Sequence, residues 1–313
     1  MYKIGVDLGG TNIAVGLVNE EYEIKVKKSL PTMAERAPEA IVDDIAKLCF
    51  DVCAEGGIEI SEIGGIGIAS PGIADTATGV VKYANNLPFK NFHIADLLRE
   101  KTGVERIKIA NDANVAALGE AVAGAAKGSR TSIMITLGTG VGGGIIIDGK
   151  IFSGFNAAGG ELGHIVIEKD GAQCTCGRRG CWETYSSATA LIRMTEEKIA
   201  ECRASGRESI MLSAPKISGR TACDAMRQGD EAACEVYDKY VSYLATGLTN
   251  IVNIFQPEVI SLGGGVSNEG QSLIDSLLPL IRNEQYGSGF VPSTEIRIAK
   301  LKNDAGIIGA AAL

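Results

Sequence analysis

Two stretches of this 313-residue chain, half a chain apart, follow one plan: an apolar run, a turn of glycines with a threonine, and a second apolar run. The first is Ile4-Gly5-Val6-Asp7, then Leu8-Gly9-Gly10-Thr11-Asn12, then Ile13-Ala14-Val15-Gly16-Leu17-Val18. The second is Ser132–Leu137, then Gly138-Thr139-Gly140-Val141-Gly142-Gly143-Gly144, then Ile145-Ile146-Ile147, with a further strand at 150–153. Each reads as strand, turn, strand. A repeat this long excludes a short-period solenoid and implies two related lobes. The chain length suits two domains of roughly 100–200 residues.

After each hairpin the pattern changes to helices alternating with strands. A third strand is expected at 23–29, and apolar residues at Ala40, Ile41, Ile45, Leu48 and Val52 set a helix over 38–55. Strands follow at 63–69 and 106–110, then an alanine-rich helix at 112–126. In the second half, helices are expected at 188–202, 231–255, 271–283 and 305–313, with strands at 259–262 and 295–301. This is an α/β pattern with mixed sheets. Two such lobes leave a cleft, the usual place for a small-molecule site.

Composition narrows the function. The net charge of −8 argues against a protein that grips a nucleic-acid backbone. No apolar run approaches the ~18–20 residues that span a bilayer, and the chain enters its first strand at once without a signal-peptide layout. A cytoplasmic location is the expectation, with the eight cysteines as thiols or metal ligands and not as disulfides. Glycine, at 40 residues, is well above its usual share of about 7%.

The turn after Asp7 has the makings of a phosphate site. Gly9 and Gly10 let backbone N–H groups approach phosphate oxygens, Thr11 and Asn12 add side-chain polar groups, and Asp7 can hold a hydrated Mg²⁺. A plain Gly-Gly hairpin is the alternative. Neither turn ends in the Gly-Lys-Ser/Thr of a P-loop, and neither opens a helix as a dinucleotide fingerprint does. In the second turn, five glycines within seven residues are entropically expensive unless backbone must approach something closely. A third cluster, Gly263-Gly264-Gly265, follows a strand and suits a flat adenine ring lying against backbone.

Asn111-Asp112 stands between a strand and a helix. Asp112 is read both as the helix N-cap and as a carboxylate able to take a proton from a hydroxyl attacking phosphorus. His164, Cys174, Cys176 and Cys181 fall within eighteen residues and can form a closed tetrahedral Cys₃His site, a structural zinc geometry. Cys49, Cys53, Cys202, Cys223 and Cys234 have no partners at ligand spacing and read as packing residues. Glu161 and Glu183 bracket the metal loop. Held beside His164, they would suit the adjacent hydroxyls of a sugar.

Together these pieces resemble the ROK family of sugar kinases and repressors, and within it the bacterial glucokinases. The resemblance rests on Asp7-Leu8-Gly9-Gly10-Thr11, Ser70-Pro71-Gly72, Asn85-Asn86-Leu87, Asn111-Asp112-Ala113-Asn114, Leu137 to Gly144, Glu161-Leu162-Gly163-His164, the Cys-x-Cys-x4-Cys loop ending in Gly180-Cys181-Trp182-Glu183, and Gly263-Gly264-Gly265, in family order. It implies a two-lobed actin/hexokinase-like fold: a smaller α/β lobe over 1–113 plus 302–313, and a larger one over 114–301 carrying the zinc loop. It implies ATP-dependent phosphorylation of a hexose, most readily glucose, at the 6-hydroxyl, with Asp112 as general base. Gly72, Asn86, Asn111, Asp112, Glu161, His164 and Glu183 would hold the sugar, His164 also binding zinc. The ATP phosphates would lie on Gly9, Gly10, Thr11, Asn12, Gly138, Thr139, Gly140, Gly142 and Gly143, with Mg²⁺ at Asp7 and adenosine at Gly264 and Gly265. A homodimer would be the expected assembly. Kinases of N-acetylmannosamine, N-acetylglucosamine, fructose or allose are the neighbouring alternatives. A sugar-responsive repressor would need a helix-turn-helix ahead of the first strand, for which this sequence leaves no room.

Overall fold

Strand β1 (Lys3–Leu8) alternates buried Ile4, Val6 and Leu8 with small or polar residues and turns back at Gly9-Gly10 into β2 (Asn12–Val18). The meander continues through β3 (Ile24–Pro31). The computed structural model describes residues 1–313, in two compact units. The first comprises residues 1–134, 144–160 and 299–313, and the second 135–143 and 161–298.

In the first unit the sheet order is β3-β2-β1-β4-β8, with β4 (Ile66–Ser70) and β8 (Ile107–Asn111) parallel to β1. Helix α1 (Pro38–Gly56) buries Ile41, Ile45, Leu48 and Val52 in the core cluster that contains Ile4, Val6 and Ile68. Its apolar spacing is that of an amphipathic helix seated on a sheet. Between β4 and β8 the chain forms a small antiparallel sheet, β5 (Ile73–Asp75), β6 (Val80–Tyr83) and β7 (Lys90–Phe92), then α2 (Ile94–Thr102). The sequence reading left this stretch unassigned, because strands of three or four residues are too short for a period to register.

Helix α3 (Asp112–Val122) follows β8 directly, and the unit runs on through it, past the boundary expected at residue 113. Its cap corrects one expectation. Asn111, not Asp112, is the N-cap: its Oδ1 accepts the N–H groups of Ala113 (3.0 Å) and Asn114 (3.2 Å), leaving Asp112 as the first helical residue. The last helix, α9 (Ala305–Ala311), lies flush on the sheet. A Cβ on Gly67 would sit 1.8 Å from the Ala310 carbonyl oxygen, so the glycine there permits an approach no side chain allows. The link to α9 is fixed by buried Glu120, whose carboxylate accepts N–H groups from Leu301 (2.7 Å), Lys300 (3.1 Å) and Ala125 (2.6 Å).

The second sheet has the order β11-β10-β9-β12-β13, formed by β9 (Ser132–Leu137), β10 (Val141–Ile147), β11 (Lys150–Phe152), β12 (Val259–Gly263) and β13 (Glu295–Ile298). The turn between β9 and β10 is only Gly138–Thr139–Gly140, shorter than expected. Gly142, Gly143 and Gly144 already belong to the strand. The second unit's helices are α4 (Glu183–Ser186), α5 (Ala188–Ser205), α6 (Thr221–Met226), α7 (Glu231–Phe255) and α8 (Gln271–Glu284). Trp182, the only tryptophan, is fully buried, stacked on Gly247 of α7 and donating to the Tyr243 carbonyl (3.1 Å). No helix is long and apolar enough to cross a membrane.

Candidate active site

The parallel strands of the first unit bring several sequence candidates to one edge. Asp7 is near the C-terminal end of β1, Ser70 ends β4 just before Gly72, and Asn111 ends β8 just before Asp112. In open α/β sheets, ligands gather at carboxyl ends of strands. Asn111 has its amide fully placed: while Oδ1 caps α3, Nδ2 donates to the Gly72 carbonyl at 3.0 Å. Asp112 and Asn86 are exposed, and Gly10 packs against the Asn86 backbone and Cβ.

Asp7 is electrostatically unusual. Burial pushes its carboxyl up to about 6, the nearby negative Asp112 adds to the shift, and Lys27 opposes it. The folded state therefore binds this proton more readily than the unfolded chain. Ionised Asp7 costs the ligand-free fold on the order of 2–3 kcal/mol above pH 6, a cost relieved as pH falls toward 4. Asp7→Asn is accordingly expected to raise the melting temperature in metal-free buffer at pH 8, with the gain shrinking toward pH 4. A gain independent of pH, seen by calorimetry, would contradict this origin.

In both glycine turns the protein holds backbone carbonyls, through different bonds. In the first, the N–H of Gly9 donates to the Asn12 carbonyl (2.9 Å), and the Thr32 hydroxyl and N–H donate to the carbonyls of Gly9 (2.6 Å) and Thr11 (2.8 Å). In the second, the N–H of Gly138 donates to the Gly140 carbonyl (3.0 Å). The Ala188 N–H and Thr189 hydroxyl take the carbonyls of Gly138 and Thr139, both at 2.8 Å. The carbonyls are thus held by the protein, while the N–H groups of Gly10, Thr11, Thr139 and Gly140 have no protein acceptor. Adjacent free amides of this kind form an anion-binding concavity. Gly264 brings the third cluster to the second turn: its Cβ position lies 2.5 Å from the Leu137 carbonyl oxygen, whereas Gly265 faces open space.

In the second unit, His164, Cys174, Cys176 and Cys181 place their ligand atoms within 4.8 Å of one another. Cys176 and Cys181 sulfurs are 3.6 Å apart, and Cys174 Sγ is 3.7 Å from His164 Nδ1. Zn–S bonds of about 2.3 Å and Zn–N bonds of about 2.0 Å put donors roughly 3.5–3.8 Å apart in a tetrahedron, so the set fits zinc. Burial, then the neighbouring thiols, pushes Cys181 up to about 12, whereas a backbone hydrogen bond at Arg178 holds the exposed Cys176 thiol below its usual value. Because Nδ1 faces the thiols, Nε2 is left on the ring's opposite edge.

Glu183 joins this cluster to the second turn. Its Oε1 lies 3.8 Å from Cys174 Sγ, and its Oε2 accepts the Val141 N–H at 3.1 Å. A Cβ at Gly140 would meet Oε2 at 2.1 Å, so a larger residue there would displace the Glu183 carboxylate. Glu161 is exposed and starts the short turn that carries His164, whose N–H donates to the Glu161 carbonyl at 3.1 Å. Gly143, by contrast, packs against Leu162. Thr32, Thr189 and Glu120 escaped the sequence reading, because nothing local marks a threonine or glutamate that bonds to a distant backbone.

The model of the ROK family matches residues 3–313. The chain belongs to the ROK family. It is 37% identical to a glucokinase of Thermotoga maritima over 311 residues, 99% of this chain and 96% of that one. An N-acetyl-D-glucosamine kinase of Aliivibrio fischeri is 33% identical, over 99% of this chain and 98% of its own. The crystal structure of a ROK family glucokinase from Streptomyces griseus, in complex with glucose and AMPPNP, superposes with a TM-score of 0.77 at 34% identity, covering 100% of this chain and 98% of that one. The mixed α/β architecture is thus that of ROK sugar kinases, with the actin/hexokinase-like fold.

Proposed function

We propose that this ROK protein is a glucokinase, transferring the terminal phosphoryl group of ATP to the 6-hydroxyl of glucose. The observation that carries the reading is the pair of glycine turns, each with two neighbouring N–H groups that have no protein acceptor. Such amides suit phosphate oxygens, and the names of the relatives supply the hexose.

In the proposed reaction, O6 of the sugar attacks the γ-phosphorus, the O6–P bond forms and the bond to the ADP oxygen breaks. The O6 proton passes to the carboxylate of Asp112. Asn86, Asn111, Glu161, His164 and Glu183 hold the sugar hydroxyls, and Gly72 contributes backbone. Gly9, Gly10, Thr11, Asn12, Gly138, Thr139, Gly140, Gly142 and Gly143 form the phosphate-binding segments, of which the four free amides are the principal donors. Gly264 and Gly265 border adenosine. Bound at Asp7, Mg²⁺ would supply charge neutralisation to the phosphates. Zinc on His164, Cys174, Cys176 and Cys181 would be structural, ordering the segment between Glu161 and Glu183.

Substrate choice is tested by measuring kcat/KM with ATP for glucose, N-acetylglucosamine, N-acetylmannosamine, fructose and allose. Glucose is expected to lead by about tenfold or more, the discrimination that one substituent in a fitted site gives. A lead by N-acetylglucosamine would transfer the assignment to that sugar.

A further inference from the structure

The N–H groups of Gly10, Thr11, Thr139 and Gly140 have no protein acceptor, while neighbouring carbonyls of both turns are held by the protein. In each turn a threonine hydroxyl does this, and the two threonines come from unrelated local structure. Thr32 follows β3, is fully buried and donates to Gly9 O at 2.6 Å. Thr189 is exposed in the first turn of α5 and donates to Thr139 O at 2.8 Å. A peptide carbonyl fixed on one side fixes the plane of the peptide and therefore the N–H on its opposite side. The carbonyl of Gly9 belongs to the peptide whose N–H is that of Gly10. The carbonyl of Thr139 belongs to the peptide whose N–H is that of Gly140. Each hydroxyl thus orients one of the free amides directly.

We infer that Thr32 and Thr189 are positioning residues for phosphoryl-donor binding, each orienting one turn amide, that of Gly10 or that of Gly140, for a phosphate oxygen of ATP. The inference rests on the kinase reading and adds two residues to it. Neither threonine touches the reacting atoms in this account; each acts through a backbone amide.

Loss of one clamp removes a hydrogen bond worth about 1 kcal/mol and releases the peptide it orients, which corresponds to roughly a five- to tenfold weakening of donor binding. The test uses the full chain with Thr189→Val, Thr189→Ser, Thr32→Val and Thr32→Ser. Calorimetry measures AMPPNP binding and, separately, glucose binding, and steady-state kinetics measure KM for ATP and for glucose together with kcat. Thr189→Val is expected to raise both the AMPPNP dissociation constant and the KM for ATP about fivefold to tenfold, with glucose binding and kcat within about twofold of the parent. Thr189→Ser, which keeps the hydroxyl, is expected to restore parental binding. Thr32→Val should behave alike, and because Thr32 is buried, the exposed Thr189 variants decide the matter if Thr32→Val does not fold. Parental AMPPNP binding by Thr189→Val would overturn the inference while leaving the kinase reading intact. So would an equal loss of AMPPNP and glucose binding, the mark of a merely structural residue. A parent protein that binds glucose but no AMPPNP would overturn the kinase reading itself and the inference with it.

Discussion

Asp112→Asn is expected to lower kcat by about 10²- to 10⁴-fold, the range for removing a general base, while glucose binding stays within about twofold of the parent. The substitution keeps the shape of the side chain. The Ala113 N–H now donates to Asp112 Oδ1 at 2.8 Å, and an asparagine oxygen can accept the same bond. Because Asn111 performs the capping, the α3 N-terminus retains both of its Oδ1 contacts. What changes is the proton affinity of the side chain and its negative charge, which helps raise the proton affinity of Asp7 and is favourable at a helix start by roughly 0.3–1 kcal/mol. The proposed mechanism thus separates binding from turnover at this residue. Calorimetric glucose binding and coupled steady-state turnover on the same preparation check it. Turnover near the parental value would remove Asp112 from the reaction.

The second large effect is expected from the Cys₃His cluster. Between His164 and Glu183 the backbone forms two isolated bridges, Val166 with Cys181 and Gln173 with Arg179, and turn hydrogen bonds such as Gly180 N–H to the Ala172 carbonyl (2.8 Å), but no regular helix or sheet. Turn hydrogen bonds and the four ligands together fix this segment, which has no helix or sheet ladder of its own, so metal binding should supply part of its order. Purified protein is expected to carry about one zinc per chain. Stripping it, or Cys181→Ser, should weaken glucose binding by about 10- to 100-fold, the effect usual when ligand orientation is lost around a metal. The loss should remain local, because α5, α7 and β12 have their own buried core. Trp182 gives a readout independent of activity. It lies between Cys181 and Glu183 and is the only tryptophan, so its emission should shift on metal removal while far-ultraviolet circular dichroism changes little. Protein that contains no zinc by metal analysis, yet binds glucose fully, would contradict this account.

The regular elements and the chemistry-bearing clusters were legible in the sequence to different degrees, for physical reasons. Helix α7 (Glu231–Phe255) was found at its observed limits, because its apolar positions repeat over many turns and Asp230 caps it. The strand-turn-strand units were clear because glycine and threonine interrupt apolar runs sharply. The four metal-ligand candidates lie close in sequence, so their spacing already carried the geometry. Contacts made across the fold left no such mark. In the sequence Gly67 is one glycine among many in a strand, yet it admits the Ala310 carbonyl of α9. Asn111 and Asp112 are adjacent residues of similar capping propensity, and only the backbone reveals which one caps. Asp7 sits beside Asp112 only after β1 and β8 have joined a common sheet, and its raised proton affinity follows from that meeting.

The central claim is transfer of a phosphoryl group from ATP to O6 of glucose. Purified protein with ATP, Mg²⁺ and glucose, followed through glucose-6-phosphate dehydrogenase, tests it most directly. The account predicts glucose 6-phosphate formed in step with ADP release, and no phosphorylated product from 6-deoxyglucose. Glucose bound by calorimetry but never phosphorylated would contradict the account and indicate a sugar-sensing member of the family.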